Sequence, residues 1–363
     1  MEIFGKKLDK NEILKRIGDI TQIGEIKHYE FTDGVSKGLR GIDIFCPSGL
    51  FMTIVPDRGM DISYLAYKNI PICWRSATNV TSPAYYESRG EEWFRTFFGG
   101  LLTTCGLSNT GTSCVDDKKE YGLHGRISNI SAEKVNSYGI WENNRYKIST
   151  KGKVREASVF GDKLELSRII SVCMDEPRIL IQDCVENIGW SNAPILILYH
   201  INIGWPVLDI SSKLIESSSK VIPVNETFSN KADAQDALKK YFSFSEPIHE
   251  YREQCFIHDI KPDSSGYSNI ALINKDFDNG RGIGVQVKFN KETLPYLVQW
   301  KQMGEGEYVC GLEPSNGIYC REEAKKKKTL VFLEPGEKVF FDFEINILTS
   351  NDDIEMFEKN IVS

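Results

Sequence analysis

Metal-ligand spacing is missing from this chain. None of its nine cysteines forms a C-x-x-C pair, and the five histidines, His28, His124, His200, His249 and His258, contain no H-x-x-x-H spacing. A metal site therefore has no support in the sequence. Long apolar runs are missing too. No stretch approaches the roughly 18 uninterrupted apolar residues of a membrane-crossing helix. The opening residues, Met1-Glu2-Ile3-Phe4-Gly5-Lys6-Lys7, hold no apolar signal core. Positive charge is in deficit, with 44 Lys plus Arg against 51 Asp plus Glu and a formal charge of -7. A general attraction to phosphate backbones is thus excluded, and neither nucleic acid nor a membrane is an expected partner. These absences predict a cytoplasmic protein. The cysteine count is odd, and Cys46, Cys73, Cys173 and Cys184 lie in apolar runs, where thiols act as small buried hydrophobes. Cys114 and Cys320 keep more polar company and read as exposed thiols.

No linker rich in Pro, Gly or Ser interrupts the chain and no fixed-period repeat is visible, so residues 1–363 are expected to form one domain. Asp9-Lys10-Asn11-Glu12 reads as a capping box, with Ile13, Leu14 and Ile17 at helical spacing and Gly18 as a stop, which predicts a short helix over 9–18. Beyond it the apolar period changes from about 3.6 to 2 residues. Gly41-Ile42-Asp43-Ile44-Phe45, Leu50 to Val55, Leu164 to Ile170 and Ile179 to Val185 all read as strands. Short turn signals such as Pro47-Ser48-Gly49, Asp175-Glu176-Pro177 and Glu334-Pro335-Gly336-Glu337 separate strand from strand. That rhythm belongs to antiparallel sheets, and the predicted fold is an all-β sandwich, mainly antiparallel, with a few short helices. Further helices are predicted over Asn230 to Tyr241 and Asp352 to Ile361, while Lys325-Lys326-Lys327-Lys328 reads as a solvated loop.

Three places can carry chemistry. In Gly122-Leu123-His124-Gly125-Arg126, glycines let the backbone approach a ligand and a histidine can change its proton near neutral pH. The same residues read also as a tight turn with a satisfied histidine, the commoner setting for such a residue. In Tyr199-His200-Ile201-Asn202-Ile203-Gly204, alternation puts His200, Asn202 and Gly204 on one strand face and Tyr199, Ile201 and Ile203 on the other. A buried polar stripe of this kind needs either partners in the core or a cavity with a ligand. In Cys310-Gly311-Leu312-Glu313-Pro314, a lone carboxylate follows an apolar strand, and the proline restricts its backbone. Glu313 reads as a positioned base or as an acceptor for turn N–H groups.

Taken with Val55-Pro56-Asp57-Arg58-Gly59-Met60-Asp61, Gly99-Gly100-Leu101-Leu102-Thr103-Thr104-Cys105-Gly106 and Leu294-Pro295-Tyr296-Leu297-Val298-Gln299-Trp300, these segments resemble the aldose 1-epimerase (galactose mutarotase-like) superfamily. The resemblance is nearer still to its branch with the domain of unknown function 4432. The order of the segments carries it: a first His after a leucine and before glycine, a second His on a central strand, and a late Glu after an apolar strand. It implies a β-supersandwich with an open sugar cleft. It implies that Glu313 is the general base toward the anomeric hydroxyl and His200 the acid toward the ring oxygen, with His124 hydrogen-bonding nearby. It further implies Arg58, Asp61, Arg126, Asn202, Glu253 and Gln299 as sugar-binding residues. The superfamily holds sugar hydroxyls with an Asp in an Asp-His-x-Phe stretch. Here the nearest match is Glu253-Gln254-Cys255-Phe256, which leaves Glu253, His258 and Asp259 as alternatives. Arg58 with two nearby carboxylates could read hydroxyls or an anionic group, or form a buried ion pair with Asp61.

The reading that follows is an isomerase that interconverts the α and β anomers of a sugar or sugar derivative, acting on a small-molecule sugar without metal or cofactor. The alternative is a carbohydrate-binding or sensing protein on the same fold. A lyase or hydrolase would need a second carboxylate beside Glu313 that the linear sequence does not place.

Overall fold

Alternating strands dominate the molecule, a computed structural model that describes residues 1–362. An eight-stranded sheet runs in the order Glu133–Glu142, Arg145–Ala157, Lys163–Cys173, Arg178–Asn187, Lys338–Leu348, Ile283–Asn290, Tyr267–Asn274 and Lys213–Glu216. A twelve-stranded sheet runs Ser218–Pro223, Gln254–Ile260, Tyr296–Gly304, Glu307–Ser315, Ala193–Gly204, Leu102–Leu107, Asp61–Tyr67, Leu50–Val55, Arg40–Phe45 and Glu25–Glu30, with two short strands attached beside it. Neighbouring strands in both are antiparallel, as the turn-punctuated period of two requires.

The sheets face one another across a single large apolar core. Ile181 and Val185 enter it from one sheet, and Ile195, Ile197, Tyr199, Ile201 and Ile203 from the other. Each such side chain contributes about 1.5–3 kcal/mol by leaving water. Tyr199 meets Phe343 with ring centroids 4.4 Å apart. A buried ionic network crosses the same interface. The Arg168 guanidinium donates to both Asp183 carboxylate oxygens at 2.9 and 2.7 Å and to Asp61 at 2.9 Å, while the Tyr199 hydroxyl donates to Asp183 at 2.8 Å. Burial alone would depress the Arg168 pKa, but Asp183 and Asp61 outweigh it and hold the guanidinium above its ordinary value.

The helices decorate these sheets. The Asp9 capping box forms with both reciprocal bonds, 2.8 and 2.9 Å, but the helix covers only Lys10–Leu14 and stops well before Gly18. The later helices run over Lys231–Leu238 and Asn351–Val362. The lysine run is not a loop. It closes a helix over Arg321–Lys327, where Lys326 pairs with Glu322 at 2.7 Å and Lys327 with Glu323 at 3.4 Å, and Lys328 caps it in the left-handed region at φ 58°. Acidic first turn and basic last turn both suit the helix dipole, a pattern that outweighs charge density as a loop signal. Cys320, expected to be exposed, is buried just before this helix. Cys173 and Cys184, expected to be buried, are only half-buried.

Five adjacent strands of the larger sheet hold the candidate site: β1 (Leu102–Leu107), β2 (Ala193–Gly204), β3 (Gln254–Ile260), β4 (Tyr296–Gly304) and β5 (Glu307–Ser315). Every residue of β2 is buried, so both of its faces are covered. Its odd-numbered side chains from Ile195 to Ile203 fill the core, and its even-numbered ones face outward under loops.

Candidate active site

Register puts the second histidine beside the late glutamate. The ladder that pairs Leu198 with Ser315 and Ile201 with Leu312 sets His200 of β2 opposite Glu313 of β5, on the face turned away from the core. His200 Nε2 and Glu313 Oε1 are 3.2 Å apart, without the alignment of a hydrogen bond. On the same ladder Asn202 opposes Gly311, which in turn opposes Trp300 of β4. A Cβ at Gly311 would lie 2.6 Å from Glu313 Oε1, 2.9 Å from Trp300 Cβ and 3.3 Å from His200 Cε1. The glycine is therefore the floor over which carboxylate and imidazole lean together.

The first histidine arrives on a turn. His124 has φ 56°, and Gly125 follows at φ 69°. The turn is strapped to the end of β1 through Gly106 N–H donating to His124 O at 2.9 Å and Arg126 N–H donating to Gly106 O at 3.0 Å. At Gly125 a Cβ would come within 2.3 Å of Gly106 O, so this close approach admits glycine alone. The strap brings the His124 ring to 5.9 Å from the His200 ring.

Aromatic walls surround the three residues. Trp93, from the short helix Glu92–Thr96, stacks on Phe97 at 4.5 Å and meets His124 at 4.7 Å. Phe97 and Trp300 lie 5.1 and 5.3 Å from the His200 ring. Trp74 touches both Phe97 and Trp300, at 6.0 and 6.1 Å. The Trp300 indole N–H donates to Glu253 at 2.8 Å, which brings a second carboxylate to the site.

The electrostatics follow from burial. His200 and Glu313 are only 5% and 3% exposed. Burial lowers the His124 pKa to about 4. Burial, with His124 adding to it, holds His200 well below its ordinary value. Burial, with Glu253 adding to it, holds Glu313 well above its own. All three shifts favour the uncharged forms of the two imidazoles and of the Glu313 carboxyl. Among the described residues, eight buried side-chain N or O atoms have no hydrogen-bond partner, and four belong to this site: His124 Nδ1, His200 Nδ1, Asn202 Oδ1 and Glu313 Oε1. Such groups cost about 1–3 kcal/mol each when left unmet, so their convergence marks a place built for polar contact with a ligand.

The remaining predicted positions divide. Asn202 shares the site's face, fully buried, and Glu253 stands at its wall. Arg58 does not reach it. Its guanidinium is fully buried and donates to the carbonyls of Ser128, Thr81 and Thr96 at 2.6 to 2.8 Å, and it forms no ion pair with Asp61. Asp61 instead lies between the sheets, bound by Arg168 and by Thr104 N–H and hydroxyl. Gln299 is next to Trp300, so strand parity turns it to the opposite face, where it bonds His258 and the Tyr241 carbonyl. Arg126 is exposed and lines a separate cavity of about 300 Å3 with Tyr86, Lys119 and Glu156. Of the three alternatives, His258 is bonded to Gln299 behind the sheet and Asp259 to Ser219 and Lys291 outside it, and Glu253 alone of the three stands at the site's wall. Around the buried His200 and Glu313, the residues Trp74, Trp300, His124 and Glu253 are half-buried. Sequence reading missed Trp74, Trp93, Phe97 and Gly311. The aromatic density of Trp93-Phe94-Arg95-Thr96-Phe97-Phe98 was the available signal.

Two facing antiparallel sheets with a histidine-glutamate face define a galactose mutarotase-like β-sandwich. Residues 36–347 match the family described as Domain of unknown function (DUF4432), and the chain belongs to that family. Among solved structures it is similar to a provisionally assigned aldose 1-epimerase from Klebsiella pneumoniae, with TM-score 0.86 and 24% identity over 93% of this chain and 87% of that one. It is also similar to a galactose mutarotase-like protein from Clostridium acetobutylicum, with TM-score 0.61 and 17% identity over 90% and 99% of the two chains. A galactose 1-epimerase from Lactobacillus acidophilus gives TM-score 0.58 and 10% identity over 90% and 99%. A comparison with curated proteins finds no match. No helix among the described residues is long and apolar enough to cross a membrane.

Proposed function

We propose that this protein is an aldose 1-epimerase-like isomerase that interconverts the α and β anomers of a sugar or sugar derivative. The observation that carries this reading is the His200–Glu313 pair, 3.2 Å apart and buried, with His200 Nδ1 and Glu313 Oε1 lacking hydrogen-bond partners. Aromatic rings suit the apolar faces of a pyranose, and Glu253 offers an acceptor for its hydroxyls.

The pair holds one mobile proton. With that proton on Glu313 both groups are neutral, and its transfer to His200 Nε2 gives a carboxylate beside an imidazolium. In the second form Glu313 takes the proton of the anomeric hydroxyl while His200 gives its Nε2 proton to the ring oxygen. The bond from C1 to the ring oxygen breaks, C1 becomes an aldehyde carbon, and the pair returns to its neutral form. Rotation about the C1–C2 bond presents the other carbonyl face, and the same two transfers in reverse close the ring as the opposite anomer. His124 borders this exchange and donates or accepts a hydrogen bond to the sugar. The scheme draws on no cofactor.

The test is a panel of freshly dissolved single anomers, followed by NMR of the anomeric proton with and without protein. Acceleration of exchange for one sugar class supports the isomerase. Saturable binding with no acceleration across the panel would replace it with the carbohydrate-binding alternative.

A further inference from the structure

We infer that the cavity behind the His124 turn is a second ligand site, and that it takes a small polyhydroxylated anion: a sugar derivative carrying one carboxylate or phosphate group. The inference goes beyond the isomerase reading and does not depend on it.

The cavity holds about 300 Å3, room for one monosaccharide derivative. Its walls are the strand Lys119–Tyr121 with the turn that follows, the end of the strand Arg145–Ala157 with the loop beyond it, and Tyr86 with Ser88. A partition separates it from the His200–Glu313 pair. The Tyr86 ring packs on the cluster of Trp93 and Phe97, and its hydroxyl donates to Gly125 O at 2.8 Å. Most charged groups at the walls are already matched, Arg155 by Glu165 and Glu133, Asp162 by Arg321, and Glu120 by Arg89. Two cations are not. The backbone of Arg126 is tied to Gly106 and Asn129, yet its exposed guanidinium makes no hydrogen bond or ion pair among the described residues. The Lys119 ammonium rests over the Tyr121 ring, 4.9 Å from its centre, and also forms no ion pair.

The one carboxylate that could neutralise them is engaged elsewhere. Half-buried Glu156 accepts from Leu107 N–H at 2.8 Å and from the Ser108 hydroxyl, and it pairs with neither cation. Burial pushes its pKa up, while Arg126 and Lys119 are near enough to pull against that shift. In a chain of formal charge -7, two cations therefore stay unpaired around one concavity. An anionic group of a ligand would answer both, and the planar fork of Arg126 suits the two oxygens of a carboxylate or phosphate. The rest of the lining suits hydroxyls. The Ser88 and Ser158 side chains make no hydrogen bond among the described residues, and Glu156 keeps lone pairs for a ligand O–H. Tyr86 and Tyr121 supply ring surface for the apolar side of a sugar.

The test is calorimetric titration of the full chain with glucose 6-phosphate, glucuronate, inorganic phosphate and glucose. At least one of the two sugar anions should bind saturably, and inorganic phosphate, which lacks the hydroxyls, should bind more weakly than the sugar phosphate. Arg126→Gln and Lys119→Gln should each weaken the sugar anion by about 10- to 100-fold, the worth of one hydrogen bond to a charged group. Neither should alter any heat seen with glucose. Both side chains are exposed and make no hydrogen bond, so the two variants are expected to fold. Lys118→Gln removes the same charge from the neighbouring exposed residue, outside the cavity lining, and should leave binding unchanged. The preference between glucuronate and glucose 6-phosphate then names the acid group. No saturable binding of either sugar anion, binding indifferent to both substitutions, an equal loss in Lys118→Gln, or inorganic phosphate as tight as glucose 6-phosphate would each overturn the inference.

Discussion

Gly311→Ala adds one methyl group where the structure has least room for it. The new Cβ would meet Glu313 Oε1 at 2.6 Å, Trp300 Cβ at 2.9 Å and His200 Cε1 at 3.3 Å. Comfortable contact is about 3.5 Å, so the carboxylate must retreat by about 0.9 Å and the Trp300 strand by about 0.6 Å. The glutamate end can swing, whereas Trp300 Cβ moves only with its backbone, which places the stability cost at about 1–2 kcal/mol. Activity should suffer more than stability. The contact pushes on the two groups that must share a proton, and a misplacement of about 1 Å costs on the order of 100-fold in rate. Urea unfolding and anomer exchange measured on the same preparation separate the two effects. A variant with wild-type exchange on a sugar the protein demonstrably turns over would refute the claim that this glycine is the floor of the site.

Glu313→Gln keeps size and hydrogen bonding but cannot take a proton, so anomer exchange should fall by roughly 100- to 10,000-fold while sugar binding, read by calorimetry, stays nearly intact. His200→Asn should act likewise in the same exchange assay, and the double variant should be little slower than the poorer single one because both groups serve one transfer. Because the folded-state pKa of Glu313 is raised, its contribution to stability is full below the ordinary glutamate range and is lost as pH rises through the raised value. Glu313→Gln should therefore gain stability relative to wild type at neutral pH and not at acidic pH, as denaturation at both will report. His124 has the opposite sign. With its folded pKa lowered to about 4 from 6.5, its contribution is present above 6.5 and lost as pH falls toward 4, a loss that His124→Gln should abolish in melts across that window. Arg168→Met leaves Asp61 and Asp183 buried without their cation and should cost about 3–5 kcal/mol in chemical denaturation.

Much of this architecture was legible because period and parity are properties of the chain itself. The alternation in Ile179 to Val185 marks a half-buried strand whatever its neighbours, and the parity of Tyr199 and His200 assigns them to opposite faces before any partner strand is known. What parity cannot supply is the register between strands distant in sequence. Gln299 and Trp300 are adjacent, and only the pairing of Trp300 with Gly311 reveals which of them faces Glu313. Arg58 and Asp61 misled for a related reason. Charge and hydrogen-bonding capacity are visible in sequence, but the carbonyls of Ser128, Thr81 and Thr96 that consume Arg58, and the Arg168 that consumes Asp61, come from remote segments. The aromatic walls were hidden differently. Trp74, Trp93 and Phe97 precede the strands they cover and belong to no periodic pattern.

The division of labour along β2 has a consequence for how such a protein diverges. His200, to which a proton-handling role is proposed, sits on a strand whose opposite face is tied through Tyr199 to Asp183 and Arg168, so it cannot shift without disturbing a buried charge network. The surfaces that would touch the rest of a sugar come from elsewhere: the Glu92–Thr96 turn of helix, the Gly122 to Arg126 turn and the Glu253 end of β3. Under the proposed isomerase reading, changes in those segments would exchange one clientele for another while the His200–Glu313 pair keeps its geometry. Across relatives, specificity should vary with the covering loops faster than chemistry varies with the sheet.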